Sequence, residues 1–286
     1  MDEQKNNERR VALVGLSLLA ALSLAVFGIL FFGAGDFLTH PNDPADTDHQ
    51  TGNTETDDAD DLERARLIAE AREKMNNFRT KLDSPYLIVV SETSPLPEEY
   101  TVELASLTDK DGKHKLETVA ASQMKAFLQA ARSAGYAATI SASYRDSAAQ
   151  KKLFDSTVQD YMNGGYTLEA ARSLAAMKVG SVNCSEHQTG YAVDFSTKEM
   201  SAVGTDGRTF EKYLTDTLAQ YGFILSYPAG AEAQTGHDAN TAHYRYVGVD
   251  AATAMSENHW TLVQYRDYLN TQIDYLSQYI QSLESK

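Results

Sequence analysis

The apolar positions of the chain fall into stretches with two different periods. Leu67, Ile68, Ala71, Met75, Phe78 and Leu82 recur at three- and four-residue steps, and Val119, Met124, Phe127, Leu128 and Ala131 repeat the pattern before Gly135. Both stretches predict helices with one buried stripe. Residues 147–162, 167–178 and about 209–221 have the same character. "YLIVVS" (86–91), "YAATISASY" (136–144), "GYAVDF" (190–195), "GFILSY" (222–227) and "HYRYVG" (243–248) are short runs that predict strands. Helices interleaved with short strands predict an α+β fold, a single domain over 84–270 with a small antiparallel sheet flanked by helices. The stripe at 62–83 is expected to be a stalk helix leading into it.

Past Thr261 the apolar residues Leu262, Leu269, Ile273, Leu276, Ile280 and Leu283 settle into four-three spacing, so the extension 271–286 is expected to be helical. A long helix with such a face needs a partner. The 62–82 helix of the same chain is the expected one, and a homodimer through the C-terminal helix is the alternative.

The first 61 residues read differently. Residues 11–33 are 23 consecutive uncharged, mostly apolar positions, enough at about 1.5 Å per residue to cross a bilayer core of roughly 30 Å. Lys5, Arg9 and Arg10 precede the run, and no Lys or Arg follows before Arg64. The expectation is a single-pass anchor in the cell membrane, with residues 1–10 cytoplasmic and the rest extracytoplasmic. A cleaved secretory signal is the competing reading. Residues 34–61 form an acidic linker with nine Asp or Glu between Asp36 and Asp61 and no Lys or Arg, a composition expected to stay disordered.

Charge narrows the partners. With 25 basic and 40 acidic side chains the net charge is −15, which argues against nucleic acid as a ligand. The one cysteine, Cys184, has no internal disulfide partner, so stability must come from packing or a bound ion.

One string carries chemistry. "SEHQTGYAVDF" (185–195) places His187 and Asp194 seven residues apart. On a strand Gly190, Ala192 and Asp194 would share a face, the two small residues leaving open volume beside the carboxylate. "HYRYVG" offers His243, with Arg245 on the same face. Two imidazoles and one carboxylate are a usual set for a catalytic zinc.

That string resembles the SxHxxGxAxD signature of the VanY-type D-alanyl-D-alanine carboxypeptidases and their zinc D,D-peptidase relatives. "PLPEEY" (95–100), "SYRDSAAQKKLF" (143–154), "YGFILSYPAG" (221–230) and "HYRYVG" with "TLVQYRDYL" (261–269) resemble further segments of the family in the same order. The resemblance implies Zn2+ held by His187, Asp194 and His243, Arg145 stabilising the oxygen that turns negative on attack at the scissile carbonyl, and Gln150 and Ser185 binding the terminal D-Ala. The implied substrates are peptidoglycan stem peptides ending in D-Ala.

One position departs from the family pattern. A glutamate usually stands three residues before the second histidine, in a string like "EPWH", as general base. Here "NTAH" puts Asn240 in that slot and Ala242 in place of the tryptophan. An amide cannot accept and return a proton, and loss of a positioned base costs about 10²–10⁴-fold in rate. Two expectations follow: a carboxypeptidase, or an impaired relative that binds zinc and muropeptide termini as a sensor or scaffold. His237 and Asp238 are the nearby groups that would have to replace the base.

Overall fold

The computed structural model describes residues 54–110 and 112–285. The apolar run 11–33 and most of the acidic linker lie outside the described residues. Among the described helices none is long and apolar enough to cross a membrane.

The chain enters through helix α1 (Thr54–Leu82). This helix starts inside the stretch expected to be disordered. Ion pairs one turn apart, Arg64 with Asp61 and Arg66 with both Glu63 and Glu70, support its exposed turns. The strand expected at 86–91 is absent. Pro85–Leu87 is a 3-10 turn, and the carbonyls a neighbouring strand would have used are taken by guanidinium groups. Arg245 donates to Tyr86 and Ile88, and Arg266 to Leu82 and Leu87.

A hairpin follows, β1 (Leu104–Thr108) with β2 (Lys113–Glu117), which the polar alternation of those residues did not announce. It runs into α2 (Thr118–Ser133), whose Met124, Phe127, Leu128 and Ala131 are buried. Then come β3 (Ile140–Ala142), the helical hairpin α3 (Ser147–Asn163) and α4 (Leu168–Val179), β4 (Ala192–Phe195), α5 (Phe210–Thr217), β5 (Phe223–Tyr227), the single turn α6 (Glu232–Thr235) and β6 (Asn240–Tyr246). Helices α7 (Val249–Asn258) and α8 (Leu262–Glu284) close the chain.

The main sheet is antiparallel throughout, in the order β3-β4-β6-β5. Strict alternation divides its two central strands. Val193, Phe195, Tyr244 and Tyr246 enter the core shared with α2, so Ala192, Asp194, His243 and Arg245 turn to the opposite face.

The boundary expected at residue 270 falls within α8, which is continuous. Its apolar face meets α1: Phe78 packs edge-on against Tyr268 with ring centres 6.3 Å apart, and Arg72 pairs with Glu284 at 2.7 Å. The self-packed arrangement is therefore the one observed. Thr261 caps α8 through a reciprocal pair of bonds with Gln264. Thr261→Ala is expected to cost about 1 kcal/mol and to lower the melting midpoint by about 2–4 °C, read by thermal unfolding.

Candidate metal centre and active site

Register builds the centre. Asp194 on β4 stands directly opposite His243 on β6, and cross-strand partners project side by side. The carboxylate Oδ1 lies 2.7 Å from His243 Nδ1. His187 arrives from the 3-10 turn Glu186–Thr189 that precedes β4, with its Nε2 3.2 Å from Asp194 Oδ2. The three ligand atoms lie within 4.8 Å of one another, and both imidazoles are buried.

Each ring is oriented from behind, by a different nitrogen. His187 Nδ1 lies 2.8 Å from the Ser143 carbonyl; a carbonyl only accepts, so the proton sits on Nδ1 and Nε2 offers its lone pair to the centre. His243 is the reverse: Nε2 faces Glu186 Oε2 at 3.0 Å and Nδ1 faces the centre. The remote nitrogen of a metal-binding histidine usually donates to a carboxylate or a carbonyl in this way. The donor set therefore fits a divalent cation such as zinc.

Glu186 itself is held by Arg245, at 2.8 Å between Oε1 and Nη1, and Arg245 is completely buried. Sequence reading left Glu186 unassigned. The available signal was Arg245, a strand-centre cation on the His243 face that needs a buried anionic partner.

Gly190 does not leave room beside the carboxylate. It lies before β4 with φ +81°, and a Cβ there would stand 3.2 Å from Val102 Cγ2 and 3.3 Å from Glu117 N. The glycine is explained by the left-handed turn and the approach of the β2 end, whose Glu117 N donates to its carbonyl.

Burial alone would raise the Asp194 and Glu186 carboxyls. Beside Asp194 the His187 and His243 rings, and beside Glu186 the Arg245 charge and His243, overcome burial and hold both well below the usual carboxylate range. His187 is pushed down by burial, against the pull of Asp194. For His243 burial acts downward, but hydrogen bonds to Asp194 and Glu186 outweigh it and raise the group to about 9. A raised imidazolium contributes stability that is complete below the unfolded value of 6.5 and is lost as pH climbs through about 9. Chelator-treated protein is therefore expected to melt at progressively lower temperature from pH 6.5 to 9. Zinc affinity should rise over the same range as the competing proton leaves. Calorimetry and a competition titration check the two trends.

A cavity of about 510 Å³ opens on the centre, and Arg145, Ser185, Asn240, His237 and Asp238 line it beside the three ligands. Arg145 donates its backbone N–H to the His187 carbonyl. Burial lowers its guanidinium, with Asp194 acting oppositely; the group stays charged. Gln150 is placed elsewhere. It is fully buried, and its amide NH2 donates to the carbonyls of Val179 and Gly180 at 2.8 and 2.7 Å, so it anchors the end of α4, which forms a cavity wall. Gln150 Oε1 is buried without a hydrogen-bond partner among the described residues, and Gln150 is not among the groups that line the cavity.

A two-residue irregularity turns both Asn240 and His243 into the cavity. Between the pairs Leu225↔Tyr244 and Tyr227↔Asn240, β5 advances two residues and β6 four. Asn240 Oδ1 accepts the Ala242 N–H at 3.0 Å. Of the groups considered as replacement bases, His237 lines the same cavity with its ring against Tyr227, centres 4.5 Å apart, and Tyr227 in turn stacks on His243 at 4.7 Å; its Nδ1 lies 3.2 Å from the Met177 carbonyl, and its Nε2 is buried without a partner among the described residues. Asp238 is exposed. Cys184 is buried and its thiol is pushed up by burial, the opposite of what a nucleophile needs.

The family model described as VanY, D-alanyl-D-alanine carboxypeptidase, matches residues 113–249. A D-alanyl-D-alanine carboxypeptidase of Enterococcus faecalis is 31% identical over 186 residues, 65% of this chain and 66% of that protein. The chain thus spans just under two thirds of that relative's length. The structure of VanYB in complex with D-alanine-D-alanine superposes with a TM-score of 0.58 at 31% identity, covering 66% of this chain and 99% of that one. A mutant of the vancomycin-resistance D,D-pentapeptidase VanY in complex with Zn(II) gives 0.56 at 30%, covering 64% and 99%.

Proposed function

The chain belongs to the VanY family of D-alanyl-D-alanine carboxypeptidases, and we propose that it is a zinc-dependent D,D-carboxypeptidase acting on peptidoglycan stem peptides, slowed by the amide at position 240. The observation that carries this reading is the pairing of Asp194 with His243 across β4 and β6, with His187 closing the set. Zinc in such a site supplies Lewis acidity to the hydrolytic water and to the scissile carbonyl. The protein's own groups do the remaining work. Arg145, planar and permanently charged, faces the oxygen that becomes negative. Ser185 offers a hydroxyl to the peptide.

The apolar run 11–33 supports an anchor that holds the domain outside the membrane, where stem peptides are found, with α1 as part of the spacer. The contacts between α1 and α8 make a homodimer through α8 unnecessary to cover that face.

Asn240 supports a second reading, a sensor or scaffold that binds zinc and muropeptide termini without cutting. One assay separates the two. The detergent-solubilised full chain, supplied with zinc and a pentapeptide ending in D-Ala-D-Ala, is expected to release free D-Ala slowly, and a chelator should stop the release. Silence in the wild type with turnover in Asn240→Glu favours the sensor. Silence in both, with no zinc bound, overturns both readings.

A further inference from the structure

Residues 228–239 leave the sheet between Tyr227 and Asn240, which face each other across β5 and β6. This excursion brings His237 and Asp238 into the wall of the metal cavity and ends at Asn240. It has little to bury, since His237 is its one buried residue. A segment of that kind opens locally unless polar contacts hold it. Among the described residues, hydrogen bonds tie it to the rest of the domain at two places. On one side the Asp238 N–H donates to the Met177 carbonyl at 3.0 Å, with His237 Nδ1 3.2 Å from the same oxygen. On the other side the Thr261 hydroxyl donates to Gln234 Oε1 at 2.7 Å.

Thr261 is buried and belongs to the cap of α8, where its oxygen accepts the Gln264 N–H. One hydroxyl therefore joins the start of α8 to the turn α6, and α8 in turn lies against α1. Gln234 is not among the groups that line the cavity. We propose that Gln234 is a positioning residue for the reaction. Through Thr261 it fixes the excursion on α8, and so sets where position 240 stands relative to His187, Asp194 and His243. The support of the cavity wall then extends into the α1–α8 pair. The inference rests on the carboxypeptidase reading of the site.

Gln234→Leu removes the acceptor, and Gln234→Glu keeps it. In the detergent-solubilised full chain, hydrogen exchange of the Asp238 amide should quicken about tenfold in Gln234→Leu, the scale of a buried hydroxyl left without its partner. It should return to the wild-type rate in Gln234→Glu. Kinetics are read on the zinc-loaded Asn240→Glu chain, where position 240 acts on the reacting atoms. Adding Gln234→Leu should lower kcat for D-Ala release about tenfold, as a slightly misplaced group does, and adding Gln234→Glu instead should leave it high. Zinc affinity should not change, because the three ligands stand outside the excursion. A melting curve verifies that each variant is folded. Equal exchange in wild type and Gln234→Leu overturns the inference. Faster exchange with kcat unchanged overturns it too, and leaves the bond structural alone. The carboxypeptidase reading fails separately: if Asn240→Glu binds no zinc and releases no D-Ala before any change at 234, that reading is lost and the inference with it.

Discussion

Asn240→Glu should raise the rate of D-Ala release from a D-Ala-D-Ala pentapeptide by about 10²–10⁴-fold, the usual contribution of a positioned base. The argument begins with the strand. Because β6 carries two extra residues against β5 between Tyr244 and Asn240, residues 240 and 243 both reach the cavity although their spacing would put them on opposite faces of a regular strand. A glutamate at 240 would therefore meet the His187–Asp194–His243 set from the strand end. The negative charge of Asp194 would raise its pKa, towards the neutral range where a base works best. The loss of the Asn240–Ala242 bond costs little on an exposed side chain. Steady-state release of D-Ala is the measurement. A variant that binds zinc and pentapeptide yet turns over no faster than wild type would show that position 240 does not address the scissile bond.

The metal ligands were legible because each lies in a short string of distinctive composition. His187 and Asp194 share one string, and the "HYRYVG" strand supplies the third. Their convergence depends on β4–β6 register, which alternation of Val193, Phe195, Tyr244 and Tyr246 into the core enforces. What could not be read was whatever depends on which distant group satisfies a polar atom. The carbonyls of 86–88 look like strand acceptors until Arg245 and Arg266 occupy them. Gln150 has the composition of a pocket residue, yet its NH2 closes the end of α4. Gly190 looked like a space-maker and is a left-handed turn. The donors and acceptors of these groups are settled by tertiary contacts, and local spacing carries no trace of them.

Glu186 gives the strongest case of such a hidden role and the second large effect. Its two oxygens join Arg245 to His243, 57 residues away from it along the chain. Glu186→Gln preserves volume and can still accept from Arg245 through its oxygen. Its NH2 then faces His243 Nε2, where two donors would collide, so the ring must move its proton to Nδ1. That is the nitrogen turned toward the metal centre. Zinc affinity is therefore expected to fall about 10- to 100-fold, as for other groups that orient a metal-binding histidine. Glu186→Ala acts on the other neighbour as well. It strips the counter-charge from a fully buried arginine, which costs about 3–5 kcal/mol and should appear as a large loss in denaturant midpoint. The contrast between the variants separates orientation from stability: the glutamine form should unfold closer to wild type than the alanine form while losing zinc. If Glu186→Gln kept wild-type zinc affinity, His243 would have to bind through a nitrogen that Glu186 does not control, and the relay from Arg245 to the centre would be structural alone.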